Sequence, residues 1–250
     1  MKKFPIKQAI EFAAKTMWDN IVTILLGSLF WFAALAVSTA GIVFIGGSIV
    51  SAIAYYTFRH TATHTVLSAI QNFSNIQLVS TSLTLKHSLF IGLLVLSSIT
   101  VVLALLFVFN ALRLGFDKFL MQFEDGHIGS INTIFSCFSD ITIRYTIAAF
   151  LKIAAVFFGL LCLIVPGIYL WIKFRFYTFS MLDRNTGSVE SLQHSYRITK
   201  GYFFILFITV LLMGLFSSLI NSALITIFIT APFTKLINIY LYRFLRDENQ

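Results

Sequence analysis

The chain has 250 residues, of which 58% are hydrophobic and only 11% are charged. Soluble globular proteins contain roughly 45–50% apolar and about 25% charged residues, so a water-soluble core could not hide this much apolar surface. The net charge of +8 does not indicate a nucleic-acid partner, because basic residues in membrane proteins mostly set orientation and contact anionic headgroups. The composition predicts one integral membrane domain over residues 1–250.

The sequence pattern over residues 4–20 predicts an amphipathic helix that lies at the membrane interface and leads into the first span. Apolar and charged side chains separate onto two faces at the helical period. A cleaved signal peptide is the competing interpretation. We do not favour it, because the uncharged apolar run begins only at Ile21 and far exceeds the roughly 7–15 residues of a signal sequence.

The run from residue 21 to residue 58 has no charged residue and is too long for one helix across about 30 Å of hydrocarbon. Either it crosses once and then follows the far surface, or it forms a hairpin at Ser38–Gly41. Residues 59–87 carry only Arg59 and Lys86 as charged residues. The positive-inside rule therefore favours an outer loop over residues 59–87 and a single crossing before it.

The rest of the chain predicts further spans and two more amphipathic helices. Pro166 and Gly167 are expected to form the outer turn between spans three and four, and Pro232 should bend span six. Together these elements predict an all-α polytopic bundle of about six spans, with three hairpins each preceded by an amphipathic interfacial helix. The predicted spans after the first cover residues 88–112, 145–165, 168–182, 202–218 and 222–242, and the two amphipathic helices cover residues 130–140 and 188–200.

This topology places both termini and all carboxylates in the cytosol, including those of the connector from Arg113 to Arg144. The block of amphipathic helix plus two spans recurs three times, beginning near Pro5, Gly129 and Gly187. Repeats in membrane proteins often place function at their mutual interface. The repetition can also be purely architectural, and the sequence leaves both interpretations open.

Four basic residues fall inside predicted spans, about 10–14 Å from the cytosolic ends at 1.5 Å per residue. With every carboxylate assigned to the cytosol, we expect none at that depth to neutralise them. A buried cation needs a partner, water or a lipid phosphate. We therefore predict a cytosol-facing basic pocket for an anion, most naturally a phospholipid headgroup, with snorkelling of the side chains to the interface as the alternative. The four residues are Lys152, Lys173, Arg175 and Lys235.

No nucleophile motif, phosphate-binding loop, dinucleotide turn or zinc-protease motif occurs in the sequence. His60 and His64 are spaced as two ligands on one helical face, but no cysteine or carboxylate lies in the same segment to complete a metal site. Cys137 and Cys162 have no metal or redox spacing. We predict no enzymatic activity, no catalytic residue, no cofactor and no metal.

The second half of the chain carries a series of short motifs. It comprises VPGIYL from Val165, then Asp183, Gly187, Ser195 and Thr199-Lys200-Gly201, and finally LYRFL from Leu241. This pattern resembles the YciC-like family of bacterial inner-membrane proteins, and it is similar to the membrane domain found beside glycerophosphodiester phosphodiesterases. The resemblance covers the second half well and the N-terminal helix loosely. It implies about six spans and a location in the bacterial cytoplasmic membrane, and it supplies no activity.

Two functional hypotheses from different classes follow. The first is a membrane-organising or accessory protein that binds anionic phospholipid or another membrane protein. The second is a transporter or flippase-like carrier of an anionic or lipid substrate that uses the basic layer. A carrier needs a polar path from both sides of the membrane. The charged residues of the predicted spans are concentrated towards the cytosolic side, which favours the first hypothesis.

Overall fold

A computed structural model of the chain describes residues 4–71, 78–127, 129–220 and 224–249. Over these ranges the chain is all-helical and contains no strand. The helices in chain order are α1 (Ile6–Asp19), α2 (Ile21–Gln71), α3 (Leu78–Glu124), α4 (Asn132–Phe135), α5 (Asp140–Cys162), α6 (Ile164–Lys173), α7 (Tyr177–Arg184), α8 (Ser188–Ile198), α9 (Phe203–Ile220) and α10 (Leu224–Glu248).

Among the described residues, three helical segments are long and apolar enough to cross a membrane. A fourth arises if α8 and α9, which meet at a bend of 102°, are counted as one span. The prediction of an all-helical membrane protein is confirmed to this extent, whereas six crossings in three hairpins stay a prediction. The three segments are Ile21–Arg59, Gly92–Glu124 and Asp140–Cys162.

The chain divides into two compact units, one of residues 1–35 with 109–250 and one of residues 36–108. In the second unit, residues 38–41 are helical, which contradicts the hairpin alternative for the first apolar run. The other alternative, one crossing to about Phe44 followed by a bend at Gly46-Gly47, is not seen either, since residues 44–47 are helical within α2. Residues 59–71 and 78–87 are also helical, although we expected an outer loop over residues 59–87. Neither of these two described segments contains glycine or proline, which is compatible with helix throughout each of them.

In the first unit, α1 packs along α10 instead of lying apart from the bundle. Its buried face includes Ala9, Ala13 and Met17. The Phe12 ring lies 5.2 Å from the ring of Tyr240 on α10. The apolar face that the sequence assigned to the membrane interface is therefore covered in part by protein.

The segment predicted as an amphipathic helix over residues 130–140 forms only the short helix α4. Ser139 is extended and ends this turn region before α5 begins. Ile134 is fully buried, while Phe135 and Phe138 are exposed. The residues of the predicted apolar stripe therefore do not pack together on one buried face. A Cβ at Gly115 would overlap the backbone of Ile134, so the glycine allows α4 to pack directly on α3.

The chain reverses between α5 and α6 at Leu163, and not at Pro166 and Gly167 as the sequence analysis placed it. Leu163 has extended backbone angles, with φ −164° and ψ 151°. Pro166 then lies in the first turn of α6, where its missing N–H costs no helical hydrogen bond. Gly167 packs against α5, since a Cβ there would lie 2.8 Å from the backbone nitrogen of Leu160.

The predicted fourth span over residues 168–182 is not one helix. It is interrupted at residues 174–176, between the end of α6 and the start of α7. The turn at Asn185–Gly187 follows α7, and Asn185 adopts the left-handed conformation with φ 50°. The interruption has a physical cause in a neighbouring helix, and it places Arg175 beside the cavity that forms the candidate site.

Candidate anion-binding site

A cavity of about 250 Å³ lies within the first unit, between α3, α5, α10 and the interruption between α6 and α7. Three of the four cations that the sequence placed inside spans line it, together with Arg113 and one carboxylate. Four basic side chains and one carboxylate give the cavity a formal charge of +3. The residues that line the cavity are Arg113, Asp117, Lys152, Trp171, Arg175, Thr178, Phe179, Lys235 and Asn238.

Helical spacing explains why these side chains converge. Arg113 and Asp117 are four residues apart on α3, and Lys235 and Asn238 are three apart on α10, so each pair shares one helical face. Arg175 lies in the short non-helical link after α6.

Asp117 forms an ion pair with Lys235. Asp117 is only 4% exposed, and the Lys235 ammonium also lies 5.4 Å from the centroid of the Phe116 ring. This pair corrects the expectation that no carboxylate would lie at the depth of the intramembrane cations. The expectation was wrong because α3 continues to Glu124, so Asp117 belongs to a helix and not to a connector.

A signal for the longer helix was present in the sequence. Buried apolar side chains continue past Arg113 with helical spacing, at Phe116, Leu120 and Phe123. The sequence analysis ended the span at the first charged residue and therefore missed both Asp117 and the contribution of Arg113.

The other cations of the cavity have no carboxylate within ion-pair distance among the described residues. The Nε of Arg175 donates a hydrogen bond to Oδ1 of Asn238 at 3.0 Å. The ammonium of Lys152 lies 5.1 Å from the centroid of the Tyr177 ring. Arg113 is exposed at one wall of the cavity.

Lys173, the fourth predicted residue, lies away from this cavity. Its ammonium donates a hydrogen bond to the backbone carbonyl of Thr199 at 2.8 Å and lies 5.3 Å from the ring centroids of both Tyr169 and Tyr196. The residue is 2% exposed. These contacts make Lys173 a structural link between α6 and the end of α8, and the structure does not bring it to the anion site.

The interruption between α6 and α7 is stabilised by two hydroxyl groups, one on α8 and one at its C-cap. The hydroxyl of Ser195 accepts a hydrogen bond from the Phe176 N–H at 3.1 Å and donates one to the Lys173 carbonyl at 2.8 Å. The Thr199 hydroxyl lies 3.5 Å from the same carbonyl. Non-helical backbone is tolerated at membrane depth only where such partners satisfy it. Two motif residues of the sequence analysis thus hold the segment that carries Arg175.

A second ionic cluster joins the ends of α3, α7 and α10. Arg243 contacts Glu124 and Asp183, each at 3.2 Å, and it also pairs with Asp125. Arg246 contacts Asp183 at 2.8 Å. Burial alone would raise the pKa of Asp183, but the Arg246 hydrogen bond, the Arg243 charge and a hydrogen bond from Tyr242 together hold this pKa below its usual value.

The two sets of ion pairs define the direction of the helices. Asp117 pairs with Lys235, and Glu124, seven residues further on, pairs with Arg243, eight residues further on. The two levels are therefore about 10–12 Å apart along the axes at 1.5 Å per residue. Because the numbering rises together on both helices, α3 and α10 run in the same direction here.

No protein-family model matches this chain, and comparisons with curated proteins and with solved structures give no significant match. Within the described part of the chain, no group of three or more histidine, cysteine, aspartate or glutamate side chains could hold a metal ion. The side chains of His60 and His64 lie outside the described part. The arrangement is a basic cavity with a formal charge of +3.

Proposed function

We propose that this protein is a multi-pass protein of the bacterial cytoplasmic membrane that binds the anionic headgroup of a phospholipid in the basic cavity. In this proposal the chain crosses the membrane about six times, both termini are cytosolic, and the protein acts as a membrane-organising or accessory protein rather than as an enzyme. The motif residues that hold the interrupted helix support the proposed relation to the YciC-like family.

The observation that carries the proposal is the convergence of Arg113, Lys152, Arg175 and Lys235 on one cavity with only Asp117 to offset them. Uncompensated charge in an apolar medium is costly, so such a cavity favours an anion that supplies the missing charge. Snorkelling explains single cations that extend separately to the interface. It does not explain why side chains from four separate segments meet.

The direction of the helices supports the proposed topology. Spans two and six should both run towards the cytosol in a six-crossing arrangement with cytosolic termini. The ion pairs place α3 and α10 in the same direction, with their charged ends together at Glu124 and Arg243. A cluster rich in charges of both signs at these ends fits the water-exposed, cytosolic side of the membrane.

A carrier of an anionic or lipid substrate is the second candidate. The interruption between α6 and α7 beside the cavity favours it, because transporters commonly build their binding sites from discontinuous helices. Carriage would also require a polar route beyond the cavity. Lys173, which falls in the outer half of the predicted fourth span, is instead buried and bonded to the Thr199 carbonyl. We therefore place lipid binding first.

Native mass spectrometry of the protein in a mild detergent tests the proposal. We expect phosphatidylglycerol and other anionic lipids to remain bound to the unmodified protein. Replacing both Lys152 and Arg175 with glutamine should reduce that retention about tenfold, since each substitution removes a charge-assisted contact. The control is Lys15→Gln on α1, which removes an exposed cation that lines no part of the cavity.

Equal retention of anionic lipid by the double variant and by the control would contradict headgroup binding in the cavity. A transport assay distinguishes a carrier from an accessory protein. Movement of a fluorescent anionic lipid across reconstituted vesicles that depends on Lys152 and Arg175 would support a carrier, whereas binding without movement supports an accessory role.

A further inference from the structure

We propose that the cavity selects a phosphate monoester, with two negative charges, over a phosphate diester with one. The inference rests on the proposed function, because it names the chemical class of the anion that the same cavity takes. It follows from the number of unpaired cations, from the positions of the donors around the cavity and from its small volume.

The charge of the cavity requires more than a single negative charge. Asp117 is already engaged by Lys235, which leaves Arg113, Lys152 and Arg175 without an ion-paired carboxylate among the described residues. A diester such as the headgroup of phosphatidylglycerol brings one negative charge and leaves most of this excess uncompensated. A monoester brings up to two charges and three terminal oxygens that accept strong hydrogen bonds.

The donors come from three separate segments of the chain. Arg113 approaches from α3, Lys152 from α5 and Arg175 from the interruption between α6 and α7. This distribution suits the several oxygens of a terminal phosphate, each of which can meet a different cation. A planar carboxylate would bind one arginine through both of its oxygens and leave the other cations without an acceptor.

The first turn of α7 contributes further. Tyr177 begins the helix, and Thr178 and Phe179 in its first turn line the cavity. Backbone N–H groups in a first helical turn have no partner within the helix, and the helix dipole there favours negative charge. The interruption of the helix therefore adds a positive helix end to the three unpaired cations at the same cavity.

The volume separates the two classes of phosphate as well. At about 250 Å³ the cavity is smaller than the roughly 300–1,000 Å³ of pockets that enclose whole small-molecule ligands. A terminal phosphate with one substituent fits such a space when the substituent stays outside it. Trp171 on the cavity wall is 44% exposed and offers such a substituent an apolar surface.

The test compares lipids of known headgroup in nanodiscs. Protein is incorporated into nanodiscs of phosphatidylethanolamine that contain equal amounts of phosphatidic acid and phosphatidylglycerol, and the lipids that stay bound after detergent extraction are counted by native mass spectrometry. We expect phosphatidic acid to be retained about tenfold over phosphatidylglycerol, because the second charge adds at least one charge-assisted contact. Arg113→Gln should abolish this preference and Lys15→Gln should preserve it.

The outcomes distinguish this inference from the proposed function. Equal retention of phosphatidic acid and phosphatidylglycerol, with both above phosphatidylethanolamine, overturns the monoester inference and leaves anionic headgroup binding in place. Retention of neither above phosphatidylethanolamine overturns both proposals. Adding glycerol phosphate as a soluble competitor identifies the source of the monoester. Displacement of phosphatidic acid supports a free phosphate monoester as ligand, and no displacement supports the lipid.

Discussion

The hydroxyl of Ser195 on α8 donates a hydrogen bond to the backbone carbonyl of Lys173, the last residue of α6, at 2.8 Å. The same hydroxyl accepts a hydrogen bond from the Phe176 N–H. One side chain thus satisfies a carbonyl and an amide that the interruption of the helix sets free. Arg175 lies between these two backbone groups, so the position of a cavity cation depends on a serine that does not line the cavity.

The first prediction is that Ser195→Ala destabilises the protein by about 1–3 kcal/mol, the cost of leaving buried polar groups without partners. Ser195 is fully buried, so water cannot replace its hydroxyl. Thermal unfolding in detergent, followed by circular dichroism, measures the change. Ser218→Ala on α9 is the control, because its exposed hydroxyl donates a hydrogen bond to the Leu215 carbonyl one turn earlier in the same helix.

A Ser195→Ala variant as stable as Ser218→Ala would contradict this account of the interruption. The same variant should also lose anionic-lipid retention in part, since Arg175 would no longer be held beside the cavity. Full retention together with reduced stability would show that Arg175 keeps its place by other contacts.

The second prediction concerns the ion pair between Asp117 and Lys235. Asp117→Asn leaves the Lys235 ammonium without its carboxylate, and we expect a loss of about 2–3 kcal/mol, somewhat below the cost of breaking a fully buried pair. The double variant Asp117→Asn with Lys235→Met removes both charges and should recover most of that loss. A double-mutant cycle from chemical unfolding in detergent measures the coupling between the two residues. Losses that simply add would contradict a direct interaction.

The sequence predicted the convergence of Lys152, Arg175 and Lys235 because charged side chains inside apolar spans are stable almost only in a polar site within the bundle. It could not distinguish Lys173 from them. The position of a residue along a span gives its depth in the membrane, but it does not say which neighbouring helix the side chain contacts. Lys173 is instead held by the Thr199 carbonyl, a contact between residues 26 positions apart.

Helices were predictable from apolar periodicity, but the points where they stop were not. The interruption before Tyr177 contains neither proline nor glycine. It depends on the hydroxyl of Ser195, which lies 19 positions beyond Phe176. Local propensity cannot reveal a break that a distant side chain stabilises. The position of the reversal at Leu163 was likewise wrong, because a Pro-Gly pair suggests a turn equally well when the proline lies in the first turn of the following helix.

The third prediction is a pH dependence that arises from Asp183. Because Arg246, Arg243 and Tyr242 hold the pKa of Asp183 below its usual value in the folded state, its carboxylate contributes stability above the unfolded pKa of about 3.9. This contribution is lost as the pH falls through that value towards the folded pKa. The expected result is a decrease in unfolding temperature below about pH 4.5 that is smaller in Asp183→Asn.

The measurement is the unfolding temperature of both proteins from pH 3 to pH 7 in one detergent. Asp125→Asn is the control, because Asp125 also pairs with Arg243 but lies at a more exposed position, with 48% of its side chain accessible against 14% for Asp183. If the unfolding temperature of Asp183→Asn falls below about pH 4.5 as much as that of the unmodified protein, other carboxylates determine the loss of stability at low pH.

The fourth prediction is that residues near Ser74 face away from the cytosol while both ends of the chain face into it. Cys137 and Cys162 are first replaced by serine and alanine, and single cysteines are then introduced at Ser74, Ser80 and Asn249. A membrane-impermeant maleimide added to intact spheroplasts should label positions 74 and 80, and it should reach position 249 only after permeabilisation. Labelling of position 74 only after permeabilisation would reverse the proposed orientation. The basic cavity, about two helical turns from the charged ends of α3 and α10, would then serve the opposite leaflet, because α3 and α10 run in the same direction.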